Sequence, residues 1–212
     1  MATTASYTDR LNADPDWALR EGSLHFEEKS SVQTTLLKIT RRLTELGIPH
    51  VVAGGMALYR HGYRRFTEDV DLLVTRDGLK AIHSALDGLG YLHVFKGSKK
   101  LRDTETGVYI DFLITGDFPG DGKPKPVAFP DPQEAAVSIN GLNVVSLPRL
   151  VELKLASGMT GGIHRMRDLT DVVSLITTLN LPDTFADSLN TYVRPKFMEL
   201  WQGVQDAPAM ES

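Results

Sequence analysis

The chain contains no cysteine among its 212 residues, which excludes a disulfide framework, a thiolate metal centre and a thiol nucleophile. That absence fits a reducing compartment, and the cytoplasm is the expected one. A large excess of either charge is missing too. The formal net charge of -4 implies no global attraction to nucleic acid or an anionic membrane, although a local basic patch remains compatible with it. No stretch reaches the roughly 18 uninterrupted apolar residues of a membrane span. The polar Met1–Trp17 stretch lacks the apolar centre of a signal peptide, so neither secretion nor membrane insertion is expected. His61, His83, His93 and His164 show no HxxxH or comparable ligand spacing and read as surface or helix-terminal residues. What remains, 42% hydrophobic and 24% charged, is an ordinary globular composition for one well-buried domain or two small ones.

Residues 1–30 are polar, with Trp17, Leu19, Leu24 and Phe26 as scattered anchors, and read as a loosely attached arm with one short helix. From Ser31, the residues Val32, Leu36, Leu37, Ile39, Leu43 and Leu46 follow a helical period that Gly47 stops just before an apolar strand over His50–Ala53. A Gly54-Gly55 turn, a short helix over Met56–Gly62, a strand over Val70–Thr75 and a helix over Leu79–Leu89 follow. Tyr91–Phe95 and Val108–Ile114 read as strands, and the charged KGSKKLRDTETG between them as a hairpin loop. Asp117–Asp131 is dense in Gly and Pro and reads as irregular, its Asp117–Gly122 part as a mobile loop near the cleft, whereas Asn140-Gly141 is a strong hairpin signal between Ala136–Ile139 and Leu142–Val145. Beyond Ser146 the pattern turns helical: one helix near Pro148, a second through Leu169–Leu179, and a last region, Thr184–Trp201, interrupted at Pro195. The expectation is an α/β (α+β) protein: an arm at 1–30, a core domain at 31–146 on a small mixed β-sheet flanked by helices, and a helical C-terminal region at 147–212. A cleft between the halves is the natural ligand site.

The chemistry concentrates in VVAGGMALYRHGYRRFTEDVDLLV, Val51 to Val74. Residues i and i+2 of a strand share a face, so Asp69 and Asp71 present their carboxylates together while Val70, Leu72 and Leu73 pack beneath. Two parallel carboxylates repel one another without a cation, and Mg²⁺ is commonly held by one or two carboxylates plus substrate phosphates. Gly54 and Gly55 let backbone N–H groups approach a phosphate where a helix opens. Asp111 is a lone charge within the apolar strand Val108–Ile114, where Asp is rare without a partner. A solvated strand edge is the plainer reading of Asp111, and a solvent-facing alternation that of Asp69 and Asp71.

This order resembles the DNA polymerase β-like nucleotidyltransferase superfamily: Gly-Gly or Gly-Ser, an interval, Asp-x-Asp or Asp-x-Glu, then a third acidic residue. Here the pattern reads Gly54-Gly55, Asp69-Val70-Asp71 and Asp111. Arg65-Phe-Thr-Glu-Asp-Val-Asp71, Leu150-Val-Glu-Leu-Lys-Leu-Ala156 and Arg165-Met-Arg-Asp-Leu-Thr-Asp171 are most similar to abortive-infection (type IV toxin–antitoxin) nucleotidyltransferase toxins and their uncharacterised relatives. The resemblance implies the nucleotidyltransferase fold and an enzyme that moves an NMP from an NTP to an acceptor hydroxyl with release of pyrophosphate. The acceptor would be an RNA or tRNA end, a protein or a small molecule, and a toxin role would bring an antitoxin partner. Asp69, Asp71 and Asp111 would be the catalytic residues and bind two Mg²⁺ ions, with Mn²⁺ as a substitute. Gly54, Gly55, Arg65, Thr67, Lys154 and Asp168 would bind the nucleotide, Lys154 as a point charge and Asp168 orienting it. The segment Ser157–Gly162 is an insertion relative to several relatives, which leaves the placement of Arg165, Arg167 and Asp168 open.

Plainer readings stand beside these. Lys154 suits a charge snorkelling from an amphipathic helix, Asp168 a helix N-terminus with Asp171 as its exposed neighbour, and Arg64 and Arg65 a solvated turn. Lys96, Lys99, Lys100 and Arg102 read as a solvated basic hairpin rather than a polyanion site, since aromatics are not interleaved. A catalytically inactive nucleotide-binding or interaction module on the same fold is the competing function, against which the intact carboxylates argue.

Overall fold

In the computed structural model, which describes residues 6–207, the polar N-terminal stretch forms two packed helices rather than a loose arm with one: α1 (Tyr7–Ala13) and α2 (Pro15–Phe26). The polar residues that resemble an unstructured tail are caps. Ser6 and Asp9 close a reciprocal capping box on α1, and Asp14 caps α2 ahead of Pro15. Tyr7 is buried, and its hydroxyl donates to Glu21 at 3.0 Å. Glu21 also accepts from the Ser31 backbone at 2.9 Å, which ties α2 to the start of α3 (Ser31–Glu45).

The middle of the chain runs β1 (His50–Val52), α4 (Gly54–Arg60), β2 (Asp69–Val74), α5 (Arg76–Leu86), β3 (Tyr91–His93), β4 (Lys100–Asp103), β5 (Tyr109–Ile114), α6 (Pro132–Ala135), β6 (Ala136–Ile139) and β7 (Leu142–Val145). These strands form one mixed sheet in the order β3-β4-β5-β2-β1-β7-β6, with β2/β5 and β1/β7 parallel and the other neighbours antiparallel. The charged segment expected to be a loop contains β4. Its alternation is masked by its charges: Leu101 and Asp103 point into the protein, and buried Asp103 accepts from Lys38 at 3.0 Å. The Asn140-Gly141 hairpin forms as expected, with both residues at positive φ.

Helices α7 (Leu147–Thr160), α8 (Met166–Leu179) and α9 (Arg194–Asp206) follow, with 3₁₀ turns at Ile163–Arg165 and Asp183–Ser188. Pro195 opens α9 instead of interrupting a helix, because the missing N–H costs nothing in a first turn. Gly158 lets α7 and α8 approach closely: a β-carbon there would stand 2.6 Å from the Leu169 side chain. The Gly/Pro-rich loop is packed onto α7, since a β-carbon on Gly120 would meet Thr160 Oγ1 at 2.3 Å. Among the described residues, no helix is long and apolar enough to cross a membrane.

Candidate active site

The parallel register of β2 and β5 sets Asp71 beside Asp111. Because alternate residues share a face, Asp69, Asp71 and Asp111 project together, while Val70, Leu72, Ile110 and Phe112 are buried on the other side. One oxygen from each carboxylate lies within 4.8 Å of the others. Asp69 accepts from Thr67 Oγ1 at 3.0 Å, and Asp111 accepts from Lys100 Nζ at 2.5 Å. Among the described residues, no side chain donates to the Asp71 carboxylate.

Burial, reinforced by the charges of Asp69 and Asp111, pushes the Asp71 carboxyl up to about 7. Burial raises Asp111 as well, with the Lys100 ammonium opposing it. The cluster therefore carries negative charge that the chain only partly offsets. Three hard oxygen donors around such a charge suit Mg²⁺ or Mn²⁺, so the residues present fit a divalent ion.

Gly54 and Gly55 close over this cluster. Gly54 has φ +56, and a β-carbon there would fall 1.7 Å from Asp71 Oδ2; on Gly55 one would fall 2.6 Å from Thr67 Oγ1. The glycine pair thus permits the turn to lie directly on the carboxylate strand.

Opposite stands a four-residue ionic network. Lys154 Nζ lies 2.6 Å from Asp168 Oδ1 and 2.8 Å from Asp171 Oδ2, and Arg65 Nε lies 2.9 Å from Asp171 Oδ1. Ser157 donates to Asp168 at 2.6 Å. Asp171 is buried and bridges two cations, so the reading of it as an exposed neighbour is corrected; nothing in its local sequence shows the Arg65 partner that holds it. Asp168 lies in the first turn of α8 but does not cap it, and Lys154 is mostly covered rather than snorkelling into water. His25 supports the Arg65 loop, its Nε2 lying 3.0 Å from the Arg65 carbonyl oxygen.

A cleft of about 550 Å³ joins these elements, lined by Gly55, Arg65, Thr67, Asp69, Asp71, Asp111, Lys154 and Asp168 together with Phe66, Glu68, Leu113, His164, Arg165 and Arg167. Gly54 lines a smaller adjoining hollow with Pro119, Gly120 and Phe129. The structure answers the placement left open by the Ser157–Gly162 segment by bringing Arg165 and Arg167 to the cleft wall. Lys100 was the least legible contributor, because its charge is one of several in a stretch whose strand character is hidden.

Residues 5–194 match the family model described as an uncharacterised nucleotidyltransferase. The chain belongs to this nucleotidyltransferase family. No curated protein matches it significantly. Among solved structures, this nucleotidyltransferase is similar to ANT(2'')-Ia in complex with adenylyl-2''-tobramycin, at 14% identity over 81% of this chain and 95% of that one, with a TM-score of 0.50. That likeness is one of fold. An antigenic nucleotidyltransferase-like protein from Paracoccidioides brasiliensis aligns at 20% identity over 81% and 92% of the two chains with a TM-score of 0.49. JHP933 from Helicobacter pylori aligns at 18% over 82% and 89%, with a TM-score of 0.45. The mixed sheet with flanking helices is the nucleotidyltransferase fold, and the family makes the protein an enzyme that uses an NTP and an acceptor.

Proposed function

We propose that the cleft transfers an NMP from an Mg²⁺-bound NTP to an acceptor hydroxyl. The supporting observation is the convergence of Asp69, Asp71 and Asp111 within 4.8 Å of one another beneath the Gly54-Gly55 turn. In this reading the three aspartates hold two ions, Mn²⁺ serving as a substitute. Bound ions supply charge neutralisation of the triphosphate and polarise the attacking oxygen. The acceptor oxygen forms a bond to the α-phosphorus as the α–β bridging bond breaks, and its electron pair leaves on pyrophosphate. Asp111, on the acceptor side, helps take the hydroxyl proton.

The backbone of Gly54 and Gly55 receives the triphosphate. Thr67 fixes Asp69 through its hydroxyl, and Arg65 and Lys154 set positive charge against the phosphates, with Asp168 and Asp171 holding them in place. Arg165 and Arg167 add charge at the mouth, Arg165 standing a loose 4.0 Å from Asp168. In domain terms, the core at 31–146 carries the carboxylates, the glycine turn and Arg65, and the helical region from residue 147 carries Lys154, Arg165 and Arg167, with 1–30 as the N-terminal unit.

The acceptor classes are an RNA or tRNA end, a protein and a small molecule; the adenylylated antibiotic held by ANT(2'')-Ia makes the last worth including. A toxin role with an antitoxin partner rests on the sequence resemblance, and growth arrest on expression, relieved by Asp69→Asn, would favour it. The cytoplasm, where NTPs are made, is the compartment this activity suits. The deciding experiment incubates the protein with each α-labelled NTP, Mg²⁺ and fractionated RNA, protein and metabolites. Label entering one fraction with equal pyrophosphate release is expected. NTP binding with neither label transfer nor pyrophosphate would favour the inactive module.

A further inference from the structure

The antiparallel register of β4 and β5 sets Lys100 directly opposite Asp111. Cross-strand partners share a sheet face, so the Lys100 ammonium reaches Asp111 Oδ2 at 2.5 Å from the side on which the three carboxylates stand. The carboxylates are therefore unlike. Asp69 accepts a neutral hydroxyl, Asp71 receives no side-chain donor among the described residues, and Asp111 already holds a cation.

The chain keeps that cation in place. Strand β4 is paired on both sides, to β3 and β5. The adjacent Lys99 binds Asp117 at 2.5 Å, which Arg76 also binds at 2.9 Å, so the start of β4 is tethered. The Lys100 side chain is nevertheless 50% exposed and can swing away by rotating its own stem. An ammonium on Asp111 repels a divalent ion brought to the same carboxylate, so each weakens the other's hold on it.

We propose that Lys100 and a divalent ion are alternative occupants of Asp111, so that the triad fills unequally: the Asp69–Asp71 position first, and the position that needs Asp111 only when Lys100 is displaced. This rests on the triad being a metal site, as proposed above. Lys100 is then a positioning residue that orders ion entry.

The test is a Mn²⁺ titration of the full chain followed by electron paramagnetic resonance, with and without a non-hydrolysable NTP analogue. The wild type should bind one ion tightly and a second weakly. Lys100→Met should tighten the second by about fivefold or more, the scale of one ion pair, and tighten the first much less, since the Lys100 charge reaches Asp71 only at a distance. Lys100→Arg should behave as the wild type, and Lys100→Gln should repeat the Met result with a polar side chain if Lys100→Met melts early by circular dichroism. Two ions of equal affinity in the wild type, or a second ion unchanged or weakened when the charge is removed, would overturn the proposal. Failure of the underlying reading looks different: Mn²⁺ binding no greater than that of the analogue alone, and unaffected by Asp71→Asn.

Discussion

Asp71 stands beside Asp111 in the parallel pairing of β2 and β5, close enough for the Asp111 charge to add to burial and to Asp69 in raising the Asp71 carboxyl's affinity for a proton. The arrangement is unfavourable for an isolated chain and favourable for one that meets a cation. Asp71→Asn should lower transfer by at least about a hundredfold, since a charged oxygen ligand is lost. The same change removes a repulsive charge, so the metal-free melting temperature should stay level or rise. Unchanged turnover in Asp71→Asn would sink the mechanism; a collapsed melting temperature would make Asp71 structural.

Gly54 separates two effects that a glycine can have. Alanine there must adopt φ +56, costing about 1–2 kcal/mol, and its β-carbon must displace the Asp71 carboxylate. Gly54→Ala should therefore lose both stability in urea unfolding and more than about tenfold in activity. Gly203 is the control, since a β-carbon in that position of α9 meets nothing. Gly203→Ala should gain about 0.5–1 kcal/mol with activity unaltered. Equal behaviour of the two variants would contradict this account.

Asp171 carries the ionic network. It is buried and pairs with Arg65 and Lys154, both largely covered, so its loss leaves Lys154 with Asp168 alone and takes from Arg65 the carboxylate that holds it. Asp171→Ala should destabilise by about 3–5 kcal/mol, and adding Arg65→Met, which removes the cation left without a carboxylate, should return part of that. Denaturant midpoints of the two variants check this; no recovery in the double variant would show that the network is not the cause.

Acid sensitivity follows from His25 and His50. Burial is the largest cause that lowers both below the ordinary 6.5. Between their lowered folded values and 6.5 the unfolded chain binds more protons, so their contribution makes stability rise with pH and level off above 6.5. Asp71 acts in the opposite sense, because its carboxyl, raised from 3.8 to about 7, holds a proton in the folded state that the unfolded state has released. The His25→Gln/His50→Gln pair, compared with wild type by unfolding from pH 5 to pH 8, should flatten the acid-side slope. An unaltered slope would exclude these two histidines.

Much of the fold was legible wherever its cause lay within a few residues. The Asn140-Gly141 hairpin, the common face of Asp69 and Asp71 and the stop of α3 at Gly47 each follow from local backbone chemistry. Strand β4 was not, because Lys100 and Arg102 alternate with buried Leu101 and with Asp103, whose buried carboxylate is paired with Lys38 of α3. The N-terminal helices were hidden for a similar reason: their capping residues are those of a polar tail, and only Tyr7 meeting Glu21 in the interior distinguishes the two.

The candidate site divides along the same line. Spacing along one strand placed two carboxylates together, and a Gly-Gly pair marked a turn that could lie near phosphate. That Asp111 comes alongside, that Lys100 lies on it, and that Lys154, Asp168, Asp171 and Arg65 lock into one network are consequences of pairing and packing between distant segments. Such contacts carry no local signature, because backbone periodicity reports which face a side chain takes and never what stands across from it.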